Sequence, residues 1–194
     1  MIQLEINGNQ QTVDPESIEG FLKLIRDAIP SNEVSCLVRV NGIEMSEDQL
    51  GDFSISSIQT VEVQTANPSA LAQESLGETQ QWIGRICSVL SSIADDFRLG
   101  RDKEGAKRLV TIVDALQVLV GLLQGIHTCL ELDQSQRAAL DRVWKEAEVD
   151  LKNSITSLME DMEYGDPVRL ADSAGHTLPK SLGRFREILY EIHA

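Results

Sequence analysis

The side chains that could do chemistry in this chain are few and scattered. His127 falls on an otherwise apolar helical seam, and Asp172 and His176 stand four apart in the last helical stretch. Brought together in a helical core, two imidazoles and a carboxylate could ligate a metal. They are weak candidates, because the paired Glu-x-x-His motifs that build di-metal sites between helices are absent. His127 is better read as a hydrogen-bonded core residue, with no metal and no cofactor expected. Glu146, Glu148 and Asp150, like Glu160, Asp161 and Glu163, form acidic groups, but helical residues two apart point in different directions, so both read as solvated faces. Glu160 and Glu163 also lack the second carboxylate pair that helical pyrophosphohydrolases use.

Nucleophiles are no better supported. Cys36, Cys87 and Cys129 each sit in an apolar run with neither a CxxC partner nor a neighbouring histidine, and read as small core residues in a reducing compartment. Neither GxxxxGK[ST] nor GxGxxG occurs. Lys180, Arg184 and Arg186 recur around Phe185, where they are expected to cap the helix dipole or dock onto the acidic first domain. No catalytic constellation emerges.

These residues have to be positioned by a helical scaffold whose centre runs from Ala106 to Leu132. One seam takes Ala106, Leu109, Val113, Leu116, Val120, Leu123, His127 and Leu130; a second takes Ile112, Ala115, Leu119, Leu122 and Ile126. Lys107, Asp114, Gln117, Gln124, Thr128 and Glu131 leave one polar stripe, so this helix is expected to be the most buried of its unit. Asp114, Gln117 and Gln124 interrupt the apolar run before the roughly 20 residues that a bilayer asks for, so no membrane span is expected.

Composition narrows the partners. The formal charge of −14 divides into −8 on residues 1–66, from three basic and eleven acidic side chains, and −6 on the remainder. Such a field repels phosphate backbones, and the one basic group, Arg101, Lys103, Lys107 and Arg108, is short; nucleic acid is not an expected partner. The start MIQLEINGNQ lacks a basic, then apolar, secretory signal, and a cytoplasmic location is expected. The partner is expected to be a protein, and a homo-oligomer is compatible with this reading.

Taken in order, Ile2, Leu4 and Ile6 alternate with polar residues up to Asn7-Gly8, a favoured hairpin turn, and Thr12-Val13 begins the return. Asp14 is the expected N-cap, with Pro15 at the first helical position, of a helix whose face is Ile18, Phe21, Leu22, Ile25 and Ile29. A second hairpin turns at Asn41-Gly42, with Cys36, Val38 and Val40 facing inward and Leu37 and Arg39 outward; Thr60–Gln64 is the last strand. The order is two strands, a helix and three strands. The run Leu50-Gly51-Asp52-Phe53-Ser54-Ile55 ahead of Val61-Glu62-Val63, with Asn41-Gly42 at the matching hairpin, resembles the ubiquitin-like and sulfur-carrier-like β-grasp families. The resemblance implies a β-grasp for residues 1–66. Those families act through a C-terminal diglycine, whereas here the chain continues through Thr65-Ala66-Asn67-Pro68, so no functional residue is carried over.

Residues 67–75 read as a linker or helix start, and residues 76–194 as an antiparallel four-helix bundle. Leu76, Ile83, Ile86, Leu90, Ile93 and Phe97 mark the first long helix, ended by Gly100, with Asp102 expected to cap the central one. Asp133 and Gln136 have capping-box spacing ahead of a third helix, whose face includes Leu140, Trp144, Ala147, Leu151 and Leu158. Tyr164-Gly165-Asp166-Pro167 stops it and starts the fourth, where Pro179 predicts a kink or break after His176. The fold class expected is α+β. The function expected is a non-catalytic intracellular binding or adaptor protein, with Leu37, Arg39 and the groove beside Pro179 as candidate partner contacts. Export chaperones, which are also small acidic helical bundles, are the first alternative, and a metal-dependent enzyme in the bundle core is the second.

Overall fold

A computed structural model describes residues 1–46, 49–50 and 53–193. The chain is α+β, with an N-terminal mixed sheet followed by helices, and it divides into two compact units, Met1–Leu71 and Ala72–Ala194.

The first unit is a five-stranded sheet in the order β2-β1-β5-β3-β4, formed by β1 (Ile2–Ile6), β2 (Asn9–Val13), β3 (Val34–Val40), β4 (Ile43–Met45) and β5 (Thr60–Ala66). β1 and β5 are parallel, with Leu4 opposite Val61; the other pairings are antiparallel. Both hairpins turn at Asn-Gly with left-handed backbone, φ 49° and 81° at Asn7-Gly8 and 52° and 83° at Asn41-Gly42, as two-residue turns between twisted strands require. Asn41 does more than turn. Its side chain accepts from the backbone N–H groups of Gln59 and Thr60 and donates to the Ser57 carbonyl, tying the hairpin to the start of β5. Helix α1 (Ile18–Ala28) supplies Phe21 and Ile25 to a core with Leu4, Val38, Val40, Leu50, Val61 and Val63. Its N-cap is Ser17, whose Oγ accepts from Gly20 N–H, and not Asp14, which instead meets the N-terminal ammonium at 2.9 Å. Extended backbone at Ser17 places its hydroxyl over the orphan amides of the first turn, which Asp14, three residues earlier, does not cap.

Cys36 departs from the inward position expected of it. A bulge between Ser35 and Leu37 leaves Cys36 without a ladder partner, and it is exposed, its Sγ donating to the Gln64 carbonyl at 3.3 Å. Alternation resumes beyond the bulge: Val38 and Val40 are buried, while Leu37 and Arg39 face away from them and are half-buried. Of the motif ahead of β5, Leu50 is buried and Ile55 begins a 3-10 turn (Ile55–Ser57), while Gly51 and Asp52 lie outside the described residues.

Helix α2 (Pro68–Arg98) begins at once after β5. Pro68 stands at its first position, and the Asn67 side chain accepts from the N–H groups of Ser69 and Ala70, so the stretch 67–75 is helix rather than linker. Gly100, with φ 72°, closes α2, and α3 (Asp102–Cys129) follows with Asp102 as its first helical residue rather than its cap. Asp96 is buried near this turn between Arg101 at 2.7 Å and Arg108 at 2.5 Å, so half of the basic group seen in the sequence is spent on an internal carboxylate. Gly105 leaves room for the Phe97 ring, which a Cβ there would meet at 3.0 Å.

The central helix is less enclosed than its sequence implies. Its buried apolar side chains, Leu109, Ile112, Leu116, Leu119, Leu123 and Ile126, form one stripe that draws on both seams and continues into Leu130 just past its end. Ala106 is exposed, Val113, Ala115, Val120 and Leu122 are half-buried, and Val110 and Val118 are 55% and 63% exposed. Neighbours cover one face of this helix only, and the apolar surface behind them stays open. α3 is the one helix among the described residues long and apolar enough to cross a membrane, with a mean hydropathy of 1.9 in its most apolar window; its buried stripe belongs to the core of the helical unit.

Helix α4 (Gln134–Tyr164) opens on the complete Asp133/Gln136 capping box and ends at left-handed Gly165. Asp166 then caps α5 (Pro167–Asp172). The backbone does not break ahead of Pro179. It stays right-handed helical, with φ −63° and ψ −46° at Ser173 and φ −68° and ψ −44° at Leu178, but widens into a π turn over Ser173–Thr177 before α6 (Leu178–His193). The Leu178 N–H reaches back five residues to the Ser173 carbonyl. Widening the turn that feeds into Pro179 is one way to accommodate a ring that lacks a donor and crowds the carbonyl four residues back. Asp161, expected on a solvated face, is 3% exposed. Its Oδ2 accepts from Ser173 Oγ at 2.5 Å, and its Oδ1 stands 2.8 Å from Arg169 Nε as an ion pair without an aligned N–H. A carboxylate enters this core because α5 and the π turn bring it a cation and a hydroxyl.

Candidate functional site

Three helices meet at a line of rings. Trp144 is buried on the α4 face that also carries Leu140, Ala147 and Leu151. From the last full turn of α3, His127 stacks on it with ring centres 4.7 Å apart and planes 21° apart, and Phe185 of α6 meets it edge-on at 5.2 Å and 78°. Asp141, three residues before Trp144 on α4, lies 2.9 Å from His127 Nε2 and orients the imidazole. Arg137 donates to the carbonyls of His127 and Leu130, which the end of α3 would otherwise leave open. The end of α3 is thereby locked to the start of α4.

Beyond the rings a groove opens. α4 packs most closely on α6 and less closely on α3. Between them lies a cavity of about 370 Å³, walled by Val120, Leu123, Trp144, Leu151, Ile155 and Phe185, with Gln124, Glu148, Lys152 and Thr156 at its exposed edge. The wall is apolar, and Glu148 is the one carboxylate among its described lining residues. Its signature was in the sequence: Trp144, Glu148, Lys152 and Thr156 recur every four residues, a polar ridge continuing from a buried indole beside the apolar ridge of Leu151 and Ile155. Periodicity alone assigns the indole and its apolar neighbours to core, because the distance to the facing helix is not a property of either ridge.

The residues singled out for chemistry do not converge. His127 is held by Asp141 and Trp144; Asp172 is exposed; His176 is exposed in a different cleft, between α4 and the π turn. Among the described residues, no three His, Cys, Asp or Glu side chains are placed to hold a metal. Cys87 is half-buried 4.0 Å from the Pro179 carbonyl, and burial pushes its thiol up, partly opposed by the charge of Arg186. Arg184, expected to cap the helix dipole or dock onto the acidic first domain, is paired with Asp150 and Glu146 of α4. Of the residues proposed for partner contact, Arg39 is engaged with Glu62 at 3.3 Å, Leu37 sits on the same outward face, and Pro179 is half-buried beside the polar cleft. No protein-family model, curated protein or solved structure matches the chain.

Proposed function

We propose that this chain is a non-catalytic, intracellular protein-binding or adaptor protein, in which residues 1–66 are a β-grasp of the ubiquitin-like kind and residues 76–194 an antiparallel four-helix bundle. Support for the first comes from the mixed sheet, with β1 and β5 parallel at its centre and α1 contributing to its core. Support for the second comes from α2, α3, α4 and the run α5 to α6, which share one apolar core.

The observation that carries the binding reading is the apolar groove beside Trp144. It is large enough to take an apolar or aromatic side chain from a partner polypeptide, and both charge signs at its edge, Glu148 and Lys152, suit the polar flanks of such a segment. Protein captured from native cells by the wild-type chain is to be compared with that captured by Ile155→Glu, which puts charge in the groove, and by Thr156→Trp, which covers it from an exposed position. A partner that is lost with both variants, and that binds the purified wild type directly, fits the reading. Equal retention by two folded variants would overturn it.

A further inference from the structure

The outer face of α4 orders its charges by sign along the helix axis. Arg142, Lys145, Val149, Thr156, Glu160 and Glu163 are all exposed and recur at steps of three, four, seven, four and three, so they share one side of the helix. None of the four charged side chains has an ion pair among the described residues. The other charges of this stretch are accounted for: Glu146 and Asp150 hold Arg184, Asp161 holds Arg169, Asp141 holds His127, and Glu148 stands one turn before Lys152. The face is therefore neutral in sum, basic in its first half and acidic in its second. Helix α4 gains nothing by itself from this order, since its last turn carries Glu163 and no base, the sign that its own dipole disfavours.

We propose that a second copy of the chain docks on this face, with the two α4 helices antiparallel about a two-fold axis that passes between Lys152 and Asn153. The spacing reads the same from either end, while the charges read as opposites. An antiparallel copy centred there sets Arg142 of one chain opposite Glu163 of the other, Lys145 opposite Glu160, and Val149, which is 51% exposed, opposite Thr156. The two-fold axis makes every one of these pairings occur twice. A uniformly basic partner would be repelled by the first half of the face and a uniformly acidic one by the second, and a parallel copy would set like charges side by side. The opposed copy matches both halves. The contact is about 32 Å long and about 10 Å wide, well under the roughly 800 Å² per partner of stable complexes, so the dimer forms reversibly. At physiological ionic strength the charge of −14 on each copy is screened beyond about 8 Å, whereas side chains in contact keep their attraction. Lys152 and Thr156 also stand at the edge of the apolar groove, but the inference rests on the order of charge along α4 and not on the adaptor reading.

Sedimentation velocity of the full chain over a concentration series, at physiological ionic strength, tests the proposal. A reversible monomer–dimer equilibrium is expected. One variant carries Arg142→Glu with Lys145→Glu, and a second carries Glu160→Lys with Glu163→Arg. Each should dimerise at least about tenfold more weakly than the wild type, because all four charge pairings become repulsive, and each should melt like the wild type when dilute, since the substituted positions are exposed. An equimolar mixture of the two variants should regain the wild-type affinity, as every reversed charge then meets its opposite. A wild-type chain that stays monomeric throughout the series, a dimer indifferent to both variants, or a mixture that associates no better than its components would overturn the assignment.

Discussion

Gly175 and Ala94 approach so closely that a methyl group added to the glycine would stand 2.8 Å from the Ala94 methyl carbon, with Arg98 Nη2 at 3.0 Å. The π turn ahead of Pro179 is thus pressed onto α2, and the absence of a side chain at 175 permits it.

Gly175→Ala should destabilise the helical unit by about 1–3 kcal/mol, the usual cost of overpacking. Gly183, on the same helical run, has nothing within 4 Å of an added Cβ. Gly183→Ala should therefore be stabilising by about 0.5–1 kcal/mol through helix propensity alone. Denaturant midpoints of the two variants should move in opposite directions; a shared direction would refute the close approach.

Asp161→Ala should cost about 1–3 kcal/mol, because it strands a buried Ser173 hydroxyl and removes the partner of Arg169, itself half exposed to water. The adjacent acid Glu160, which is exposed, should be replaceable by Ala with no measurable shift in the melting curve. Equal effects would place both residues in solvent.

On α3, Leu116→Ala and Leu123→Ala should each lose about 2–5 kcal/mol. Val118→Ala should lose less than about 0.5 kcal/mol, being 63% exposed. Urea unfolding distinguishes these outcomes, and a large loss at Val118 would mean that this face is covered in solution.

Thiol labelling at pH 8 should be fast at Cys36 and slow at Cys87. Cys36 is exposed at the β3 bulge. Cys87 is half-buried, and burial raises its thiol pKa, so less of the reactive thiolate is present at any pH below that raised value. Labelling of Cys87 should therefore accelerate as the pH rises toward that raised value. A Cys87 that reacted first would contradict both its burial and the direction of its shift.

Residues 1–66, expressed alone, should give dispersed amide resonances, since their core draws on α1 and the sheet. A collapsed spectrum would show that the chain beyond Ala66 is needed for folding.

What the sequence by itself determined was whatever a few neighbouring residues decide. Asn7-Gly8 and Asn41-Gly42 turn because their own backbones tolerate positive φ; Asp133 and Gln136 cap because they lie one turn apart; Gly165, Asp166 and Pro167 stop one helix and start the next within reach of their own amides. The apolar positions of α2, α4 and α6 were legible for the same reason, since a helix of known period fixes which of its side chains share a face. Tertiary structure decided the rest. Which stripe of α3 is covered depends on the helices opposite it, so Val118 is exposed although its composition suits a core. Asp161 is buried because Arg169 and Ser173 arrive from beyond the next turn, and no charge pattern within α4 announces them. Cys36 faces out because β5 pairs with β3 across a bulge, a property of two strands 20 or more residues apart in sequence. The groove beside Trp144 and the cleft beside His176 are likewise distances between helices, and an interhelical distance is set by the side chains of both partners at once.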